Sequence, residues 1–298
     1  MSITSSGGLT IKSIWSKAGF ASSVHVKGIG KQCDLLFDCG IVEELNLSAR
    51  HVFITHGHVD HIGACISHAR ARSLISRYAT NYYVPHNCVE ALHAAKAAFE
   101  ALDQKEIPMN IVGMDYLSPV DISQEYKVFA FPTAHRIASQ GYGIIHKKIG
   151  GLLTEFSCCT RDELKILRKQ GKQLNSVTEN IEFVYTGDSV LRGLLLPDFD
   201  FVLKAEILVM ELTYLDGDRD KAEKHKHIHI DDFVENYSLF RNKQIIFVHL
   251  SSKYAPPSRA LRILRERLPP AVLDKCAVAL RSFGHEDMVC PLGSTIAL

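Results

Sequence analysis

The sequence THGHVDHIG, Thr55–Gly63, directly follows the short apolar run Val52–Ile54. Four of its side chains are able to bind a metal ion: His56, His58, Asp60 and His61. Alternate residues of an extended strand end point to the same side, so the first three can converge while the last begins the next helix. A single histidine on a strand is more often structural, but this cluster predicts a metal site. Neutral imidazoles and carboxylates are ligands that suit zinc.

Further candidate ligands follow later apolar runs, and they are needed because one short motif cannot supply two metal ions. They are His135 after VFAFPTA, Asp188 after FVYTG and His249 after IIFV. Each of them alone could equally be a capping aspartate or a core histidine. Their shared position at strand ends, where layered folds place their sites, supports a common centre.

The seven candidate ligands divide into two sets around two Zn²⁺ ions, with Mn²⁺ or another divalent metal as the alternative. We expect His56, His58 and His135 on one ion, Asp60, His61 and His249 on the other, and Asp188 bridging the two. Such a centre suits hydrolysis, with water activated between the two metals, rather than redox chemistry.

Apolar runs typical of buried strands alternate with helical patterns along the chain. The predicted strands are 34–37, 52–55, 82–84, 128–131, 183–185, 207–210 and 245–248. The predicted helices are 62–78, 88–102 and 258–268, the last preceded by a Pro-Pro pair that favours a helix start. Strands interleaved with helices predict a layered α/β architecture.

Composition is that of a globular protein, with 46% apolar and 22% charged residues in 298. The sequence has no apolar run long enough to span a bilayer, and its start does not resemble a secretory signal, so we expect no membrane association. Eight cysteines without CxxC spacing favour a reducing compartment. We expect a cytoplasmic protein, with the nucleus as the alternative. A net charge of +1 neither requires nor excludes a nucleic acid partner.

The THGHVDH motif, Asp38 in LLFDCG and the ordered series His135, Asp188 and His249 together resemble the metallo-β-lactamase superfamily. The resemblance implies an αββα sandwich, in which two mixed β-sheets pack face to face with helices on the outer faces. It also implies a single domain over residues 1–298, with a reduced arm at about 147–180 and a tail at about 286–298. The superfamily leaves the substrate open.

Five further segments resemble, in the same order, the short-form tRNase Z enzymes, and most closely the plant-type proteins. They are TAHRIASQGYGI, VYTGDS, VMELTYL, KHIHIDDF and VHLSSKY. This resemblance implies a zinc-dependent endoribonuclease that removes the 3′ trailer from precursor tRNA. It also implies a homodimer.

The resemblance also assigns catalytic roles. It implies that Glu211 orients His227 beside the scissile phosphate, and that Asp60 accepts a proton from the attacking water. A carboxylate bonded to one imidazole nitrogen leaves the other free to protonate a leaving oxygen. His225 and His229 compete with His227 for this role. Candidate substrate-binding residues are Ser251 and Lys253, where many relatives have arginine in place of the lysine.

Two departures from the family keep other functions open. The Gly- and Pro-rich arm of bacterial members is replaced by a short segment whose basic residues could contact phosphates or form a solvated helix face: Arg161, Lys165, Arg168, Lys169 and Lys172. The Pro- and Lys/Arg-rich loop near the N-terminus, which monitors the 3′ CCA end, is not found in residues 16–31. The alternatives are a metal-dependent phosphodiesterase or other hydrolase of a small ester, and a non-catalytic binding protein.

Overall fold

The computed structural model describes residues 3–29, 33–75, 78–217 and 219–293. The strands are β1 Ile3–Thr4, β2 Thr10–Lys17, β3 Ala21–Lys27, β4 Asp34–Phe37, β5 His51–Phe53, β6 Thr80–Val84, β7 Met109–Gly113, β8 Val120–Asp121, β9 Tyr126–Thr133, β10 Ser139–Leu152, β11 Asn175–Tyr185, β12 Ile207–Glu211, β13 Gln244–Val248, β14 Cys276–Val278 and β15 Cys290–Pro291. The helices are α1 Val59–Ile62, α2 Cys65–Arg72, α3 His86–Asp103, α4 Arg161–Lys169, α5 Leu191–Leu194, α6 Asp200–Lys204, α7 Arg219–His225, α8 Ile230–Asn236, α9 Pro257–Arg267 and α10 Pro270–Leu273.

The first sheet contains β1 to β7 in chain order. β1 to β4 pair antiparallel, and β4 to β7 pair parallel. Because parallel strands end at the same side of a sheet, the segments that follow β4 and β5 lie next to each other. These segments contain Asp38 and the histidine motif.

The second sheet contains β8 to β15, also in chain order. β8 to β11 pair antiparallel, β11 to β14 pair parallel, and β15 pairs antiparallel with β14. The parallel strands again end together, which brings Asp188 after β11, Glu211 at the end of β12 and His249 after β13 to one side of the sheet.

The two sheets pack face to face, and helices cover their outer faces. Side chains of both sheets, such as Phe37, Phe53, Tyr142 and Phe183, form the layer between them. The outer face of the first sheet packs against α2 and α3, and that of the second against α5, α6, α8 and α9. The predicted αββα sandwich is therefore confirmed.

Within the predicted arm, at about 147–180, β10 and β11 continue beyond the sheet as an antiparallel ribbon. The ribbon is mostly exposed, in contrast to the buried halves of the same strands. α4 lies in the connection between β10 and β11. It begins with a capping box formed by Thr160 and Glu163, and none of its residues is buried. The arm thus presents the basic residues of α4 to solvent.

The predicted tail, 286–298, is only partly described, since residues 294–298 lie outside the described residues. Within its described part, Cys290–Pro291 pairs with β14, and Val289 and Leu292 are buried. None of the helices in the described ranges combines the length and the apolar character that crossing a membrane requires.

Beneath the first sheet, His68 of α2 is fully buried. One ring nitrogen lies 2.7 Å from the Tyr82 hydroxyl and the other 3.1 Å from the Asn46 carbonyl oxygen. The carbonyl can only accept, so the imidazole donates to it and accepts from the tyrosine. Burial lowers the pKa of His68 from 6.5 to about 4. The folded chain therefore keeps this ring neutral where the unfolded chain takes up a proton.

We expect His68 to contribute to acid sensitivity. Because the folded pKa is depressed, its stabilisation is complete above pH 6.5 and is lost as the pH falls towards about 4. Between pH 7 and about 4.5 the loss amounts to about 2 kcal/mol. In urea unfolding, His68→Gln should show a pH dependence weaker by this amount, whereas His93→Gln, at an exposed histidine of α3, should behave like the wild type. The same pH dependence of the unfolding free energy in all three proteins would contradict this role of His68.

Candidate metal centre

Loops at the ends of four strands and the first turn of one helix bring the seven predicted ligands together. His56 and His58 lie in the segment after β5, and Asp60 and His61 lie in α1. His135 follows β9, Asp188 follows β11 and His249 follows β13. The site therefore lies where the ends of the two sheets meet, and both sheets contribute to it.

Four side chains form a first group. The Nε2 atom of His56 lies 2.9 Å from Nδ1 of His58, which lies 3.3 Å from Nε2 of His135. The Oδ2 atom of Asp188 lies 3.8 Å from His56 Nε2 and 4.0 Å from His135 Nε2. One atom from each residue lies within 4.8 Å of the others. These atoms can surround a single cation.

A second group contains Asp60, His61 and His249. Nε2 of His249 lies 3.4 Å from Nε2 of His61 and 3.4 Å from Oδ2 of Asp60. Asp188 Oδ2 is 3.4 Å from His61 Nε2 and 3.5 Å from His249 Nε2. The same carboxylate oxygen therefore faces both groups, which is the geometry that a bridging ligand needs.

Outer hydrogen bonds fix the tautomers in the first group. The backbone carbonyl of Lys226 accepts from Nδ1 of His135 at 3.0 Å. The Thr55 hydroxyl contacts the Asp38 carboxylate at 3.0 Å, so the hydrogen between Thr55 and His56, 2.9 Å apart, comes from His56 Nδ1. Both imidazoles consequently present an unprotonated Nε2 to the centre, as metal ligands must.

The second group is oriented in the same way. Asp38 accepts from Nδ1 of His61 at 2.7 Å. Thr213 donates its hydroxyl to Glu211 at 2.6 Å and accepts from Nδ1 of His249 at 3.0 Å. Again the free nitrogen is Nε2. A ligating histidine whose second nitrogen is bonded to a carboxylate or hydroxyl is the usual arrangement around zinc.

The backbone is constrained where these groups attach. Asp38 and His249 adopt left-handed conformations with φ of 57° and 59°, although neither is glycine. Gly187 has φ of 58°, and a Cβ atom there would lie 2.7 Å from the Thr55 side chain. Such conformations cost free energy and persist where the surrounding structure enforces them. Here they aim a carboxylate and an imidazole at one point.

The protonation states match the needs of a cation site. Burial lowers the pKa of His56, His58 and His135, which keeps these rings neutral. Burial raises the pKa of Asp188, but the neighbouring His249 and His61 outweigh it and hold the pKa well below its usual range. The carboxylate is therefore ionised while fully enclosed.

His61 differs, because Asp188 and Asp38 outweigh burial and raise its pKa. A cation at this group would therefore displace a proton.

The donor set fits two divalent ions. Asp188 Oδ1 is buried and has no hydrogen-bond partner among the described residues, which is costly for a carboxylate unless another group satisfies it. Six nitrogen and carboxylate ligands besides this residue surround the space, a composition that suits zinc. His227 completes a third group with Asp188 and His249, but its Nδ1 is bonded to Glu211.

We expect Asp38→Asn to lower zinc affinity about 10- to 100-fold, because an amide cannot replace the carboxylate that orients His61. Titration against a competing chelator measures this change. Asp115→Asn is a matched control, since Asp115 contacts His86 at 2.8 Å on the exposed surface. A zinc affinity of Asp38→Asn equal to that of the control would contradict the role.

Beside the centre, Glu211 and His227 form a hydrogen-bonded pair. Nδ1 of His227 lies 3.0 Å from Oε1 of Glu211. Glu211 is fully buried and also accepts from the backbone amides of Ser189 and Ile228. Burial lowers the pKa of His227, but Glu211 outweighs it and raises the pKa to about 9. The ring is therefore protonated at neutral pH, and its side chain is 16% exposed.

The competing histidines have other surroundings. His229 is buried and caps α8, with Nδ1 accepting from the Asp231 amide at 3.2 Å. His225 ends α7, and among the described residues no hydrogen bond joins it to a predicted ligand. Of the three histidines, the structure thus brings only His227 to the centre.

The two substrate-binding candidates lie just after His249. Ser251 is partly buried, and its amide donates to the Thr213 carbonyl. Lys253 pairs with Asp216 at 2.8 Å and lies over the Tyr254 ring, 4.8 Å from its centroid. The lysine is held at the rim of the site by a carboxylate rather than left free.

Several residues that organise the centre were not predicted as site residues. Asp38 contributes to the superfamily resemblance but is not among the predicted site residues, and its position directly after a buried strand is the signal that the sequence offers. Thr213 and Thr55 follow strands in the same manner, but threonine is common there. The Lys226 carbonyl is a backbone group and leaves no trace in the sequence.

Comparison with known proteins supplies the family. No protein-family model matches the chain. tRNase Z TRZ1 of Arabidopsis thaliana is 32% identical over 222 residues, which cover 74% of this chain and 79% of that protein. Ribonuclease Z of Methanocaldococcus jannaschii is 26% identical over a region that covers 74% of this chain and 77% of that protein.

Solved structures agree in fold. Human tRNase Z, short form, superposes with a TM-score of 0.59 at 20% identity over 82% of this chain and 93% of the human one. The metallo-β-lactamase fold protein YhfI from Bacillus subtilis gives a TM-score of 0.56 at 15% identity, over 87% of this chain and 93% of its own. By fold and by its likeness to the Arabidopsis protein, the chain belongs to the tRNase Z family.

Proposed function

We propose that the chain is a metal-dependent endoribonuclease that removes the 3′ trailer from precursor tRNA. The observation that carries this proposal is the Glu211–His227 pair beside the seven candidate ligands. A proton donor at this position serves an ester whose leaving oxygen must be protonated. The identity to tRNase Z TRZ1 supports precursor tRNA as the substrate.

We propose two zinc ions per chain, one in each group, with Asp188 shared; Mn²⁺ or another divalent metal is the alternative. When bound, such a pair lowers the pKa of water and balances charge on the phosphate oxygens. The unpartnered Asp188 oxygen and the fixed Nε2 tautomers support this assignment.

Asp60 is proposed to accept the proton of the attacking water in addition to its role as a ligand. Burial raises the pKa of this carboxyl, but His249 and His61 hold it below its usual range, so the group is ionised. Its Oδ2 accepts a hydrogen bond from the Gly19 amide at 2.9 Å. This bond fixes the carboxylate at the edge of the centre.

His227 is proposed to donate the proton that the leaving oxygen takes up. Glu211 holds Nδ1, which leaves Nε2 as the donating atom. The carboxylate also stabilises the charged ring before transfer and stays in place afterwards, because two backbone amides and Thr213 bind it. Glu211 thus acts as a positioning residue through His227.

Substrate phosphates are proposed to contact Ser251, Lys253 and the basic face of α4 on the arm. Lys253 would exchange Asp216 for a phosphate oxygen, which a flexible ammonium group allows. We also propose that the single domain 1–298 acts as a homodimer in the cytoplasm, with the nucleus as the alternative compartment.

A cleavage assay tests the function. Purified, zinc-loaded protein should cut a labelled precursor tRNA once, just after the discriminator base, and a chelator should stop the reaction. Addition of zinc or manganese should restore it. Turnover of bis-p-nitrophenyl phosphate beside an inert precursor tRNA would instead indicate the small-ester phosphodiesterase.

A further inference from the structure

The turn between β2 and β3, residues 17–20, is fixed to the metal centre by its backbone. The Gly19 amide donates to the Asp60 carboxylate at 2.9 Å, and the Ala18 amide donates to the Leu250 carbonyl at 3.1 Å. At the end of β2, the Ser16 hydroxyl accepts from the His249 amide at 2.9 Å. Hydrogen bonds therefore join the turn and the end of β2 to two candidate ligands of the second group, Asp60 and His249.

This turn presents an aromatic ring to solvent next to those ligands. Phe20 directly follows Gly19, so their Cα atoms are about 3.8 Å apart. Phe20 is 62% exposed, whereas phenylalanine rings are most often buried in the core of a protein. The backbone hydrogen bonds of Ala18 and Gly19 hold the turn beside the centre, and the ring is exposed there.

A cation accompanies the ring. Nζ of Lys17 lies 5.0 Å from the Phe20 ring centroid and 4.8 Å from that of Phe283. It also donates to the Ser282 carbonyl at 3.4 Å, and the Ser282 hydroxyl donates to the Ser16 carbonyl at 2.6 Å. A second segment thus supports the turn, and a positive charge lies between two aromatic side chains.

We propose that Phe20 stacks on the base of a nucleotide that flanks the scissile phosphate, and that Lys17 contacts the phosphate of the same strand. We take RNA as the substrate from the proposed function. An aromatic face beside a lysine is the combination that binds single-stranded nucleic acid without reading its sequence. Since every base has a stacking face, this contact would position trailers of different sequence equally well.

The decisive experiment removes the two partners separately and together. Phe20→Ala should lower kcat/KM for precursor tRNA about tenfold, the effect of one lost base–aromatic stack. An abasic nucleotide on one side of the scissile bond should lower the wild-type value by a similar factor. The variant should lose nothing further on that abasic substrate, because the stack is already absent. The proposal would be overturned if the losses caused by Phe20→Ala and by the abasic nucleotide were additive on both sides of the scissile bond.

Control variants separate stacking from a structural role. Phe20→Trp should restore cleavage, and Phe99→Ala, at a 49% exposed ring on α3, should leave it unchanged. Lys17→Gln should reduce the slope of log affinity against log salt concentration by about 0.7, the value for one phosphate contact on a single strand. Failure of the tryptophan to rescue, or an unchanged salt slope, would count against the arrangement.

A binding measurement distinguishes failure of this inference from failure of the proposed function. If wild-type protein does not cut precursor tRNA, fluorescence anisotropy with a labelled single-stranded RNA of about ten nucleotides decides. About tenfold weaker binding by Phe20→Ala would support the stack even then. Unchanged RNA affinity of Phe20→Ala would overturn the proposed stack. A variant that differs from the wild type only in its sedimentation would also overturn it, because the ring would then contact a second copy of the chain.

Discussion

Asp188→Asn should lower the turnover of precursor tRNA by about 10³-fold or more and reduce bound zinc below two ions per chain. The Oδ2 atom lies between 3.4 and 4.0 Å from ligand nitrogens of both groups. An amide of the same size fills the space but carries no charge with which to hold two cations. Metal analysis after gel filtration and single-turnover cleavage measure the two effects.

A matched control keeps this result interpretable. Asp198→Asn makes the same chemical change at an exposed aspartate after α5, and it should keep both metal content and activity. Thermal unfolding of the metal-free proteins should show that Asp188→Asn still folds, since asparagine has the shape of aspartate and removes a buried negative charge. Two bound zinc ions and normal cleavage in Asp188→Asn would refute the bridging role.

His227→Ala should lower kcat for precursor tRNA by about 10²- to 10⁴-fold while leaving the zinc content unchanged. The alcohol released from a ribose needs a proton as the bond breaks, and His227 is the charged imidazole beside the centre. p-Nitrophenolate leaves without one. Hydrolysis of bis-p-nitrophenyl phosphate by the same variant should therefore fall far less than cleavage of the tRNA.

The neighbouring histidine supplies the comparison for this prediction. His225→Ala alters the same polar segment two residues away and should cleave precursor tRNA like the wild type. Glu211→Gln should resemble His227→Ala, because a neutral amide no longer stabilises the charged ring. Equal losses on both substrates in His227→Ala would mean that the residue shapes the site and donates no proton.

Sequence patterns predicted the central strands well because they are apolar throughout. The prediction of 34–37 matches β4, and 207–210 and 245–248 fall within β12 and β13. The helix predicted at 258–268 is α9, with Pro257 at its first position. The helix predicted at 62–78 is wrong in extent, since Gly63 and Ala64 separate α1 from α2 and α2 ends at Arg72.

Strands that pack through small or polar residues escaped prediction. β2 and β3 bury Ser13, Ser16, Ser22 and Ser23, which interrupt any apolar pattern. β10 contains Gly141, whose missing side chain leaves room for the Phe131 ring, 2.3 Å from where a Cβ would lie. Hydrophobic periodicity cannot detect such segments, because their burial comes from close packing.

The histidine motif suggests four candidate ligands because its spacing is dense and local. The network behind it was not predictable, since Asp38, Thr55 and Thr213 act through contacts that link distant segments. The turn at Phe20 shows the same limit. Only the fold brings a phenylalanine near the N-terminus beside an aspartate forty residues away.

Because both sheets contribute candidate ligands, the predicted metal centre can be completed only after His249 has been synthesised. The last predicted ligand, His249, follows every strand of the first sheet and most of those of the second. Chains emerge from the ribosome amino terminus first, and partial chains can hold the first histidines without their partners. A polypeptide interrupted before His249 is therefore expected not to cut the RNA that surrounds it.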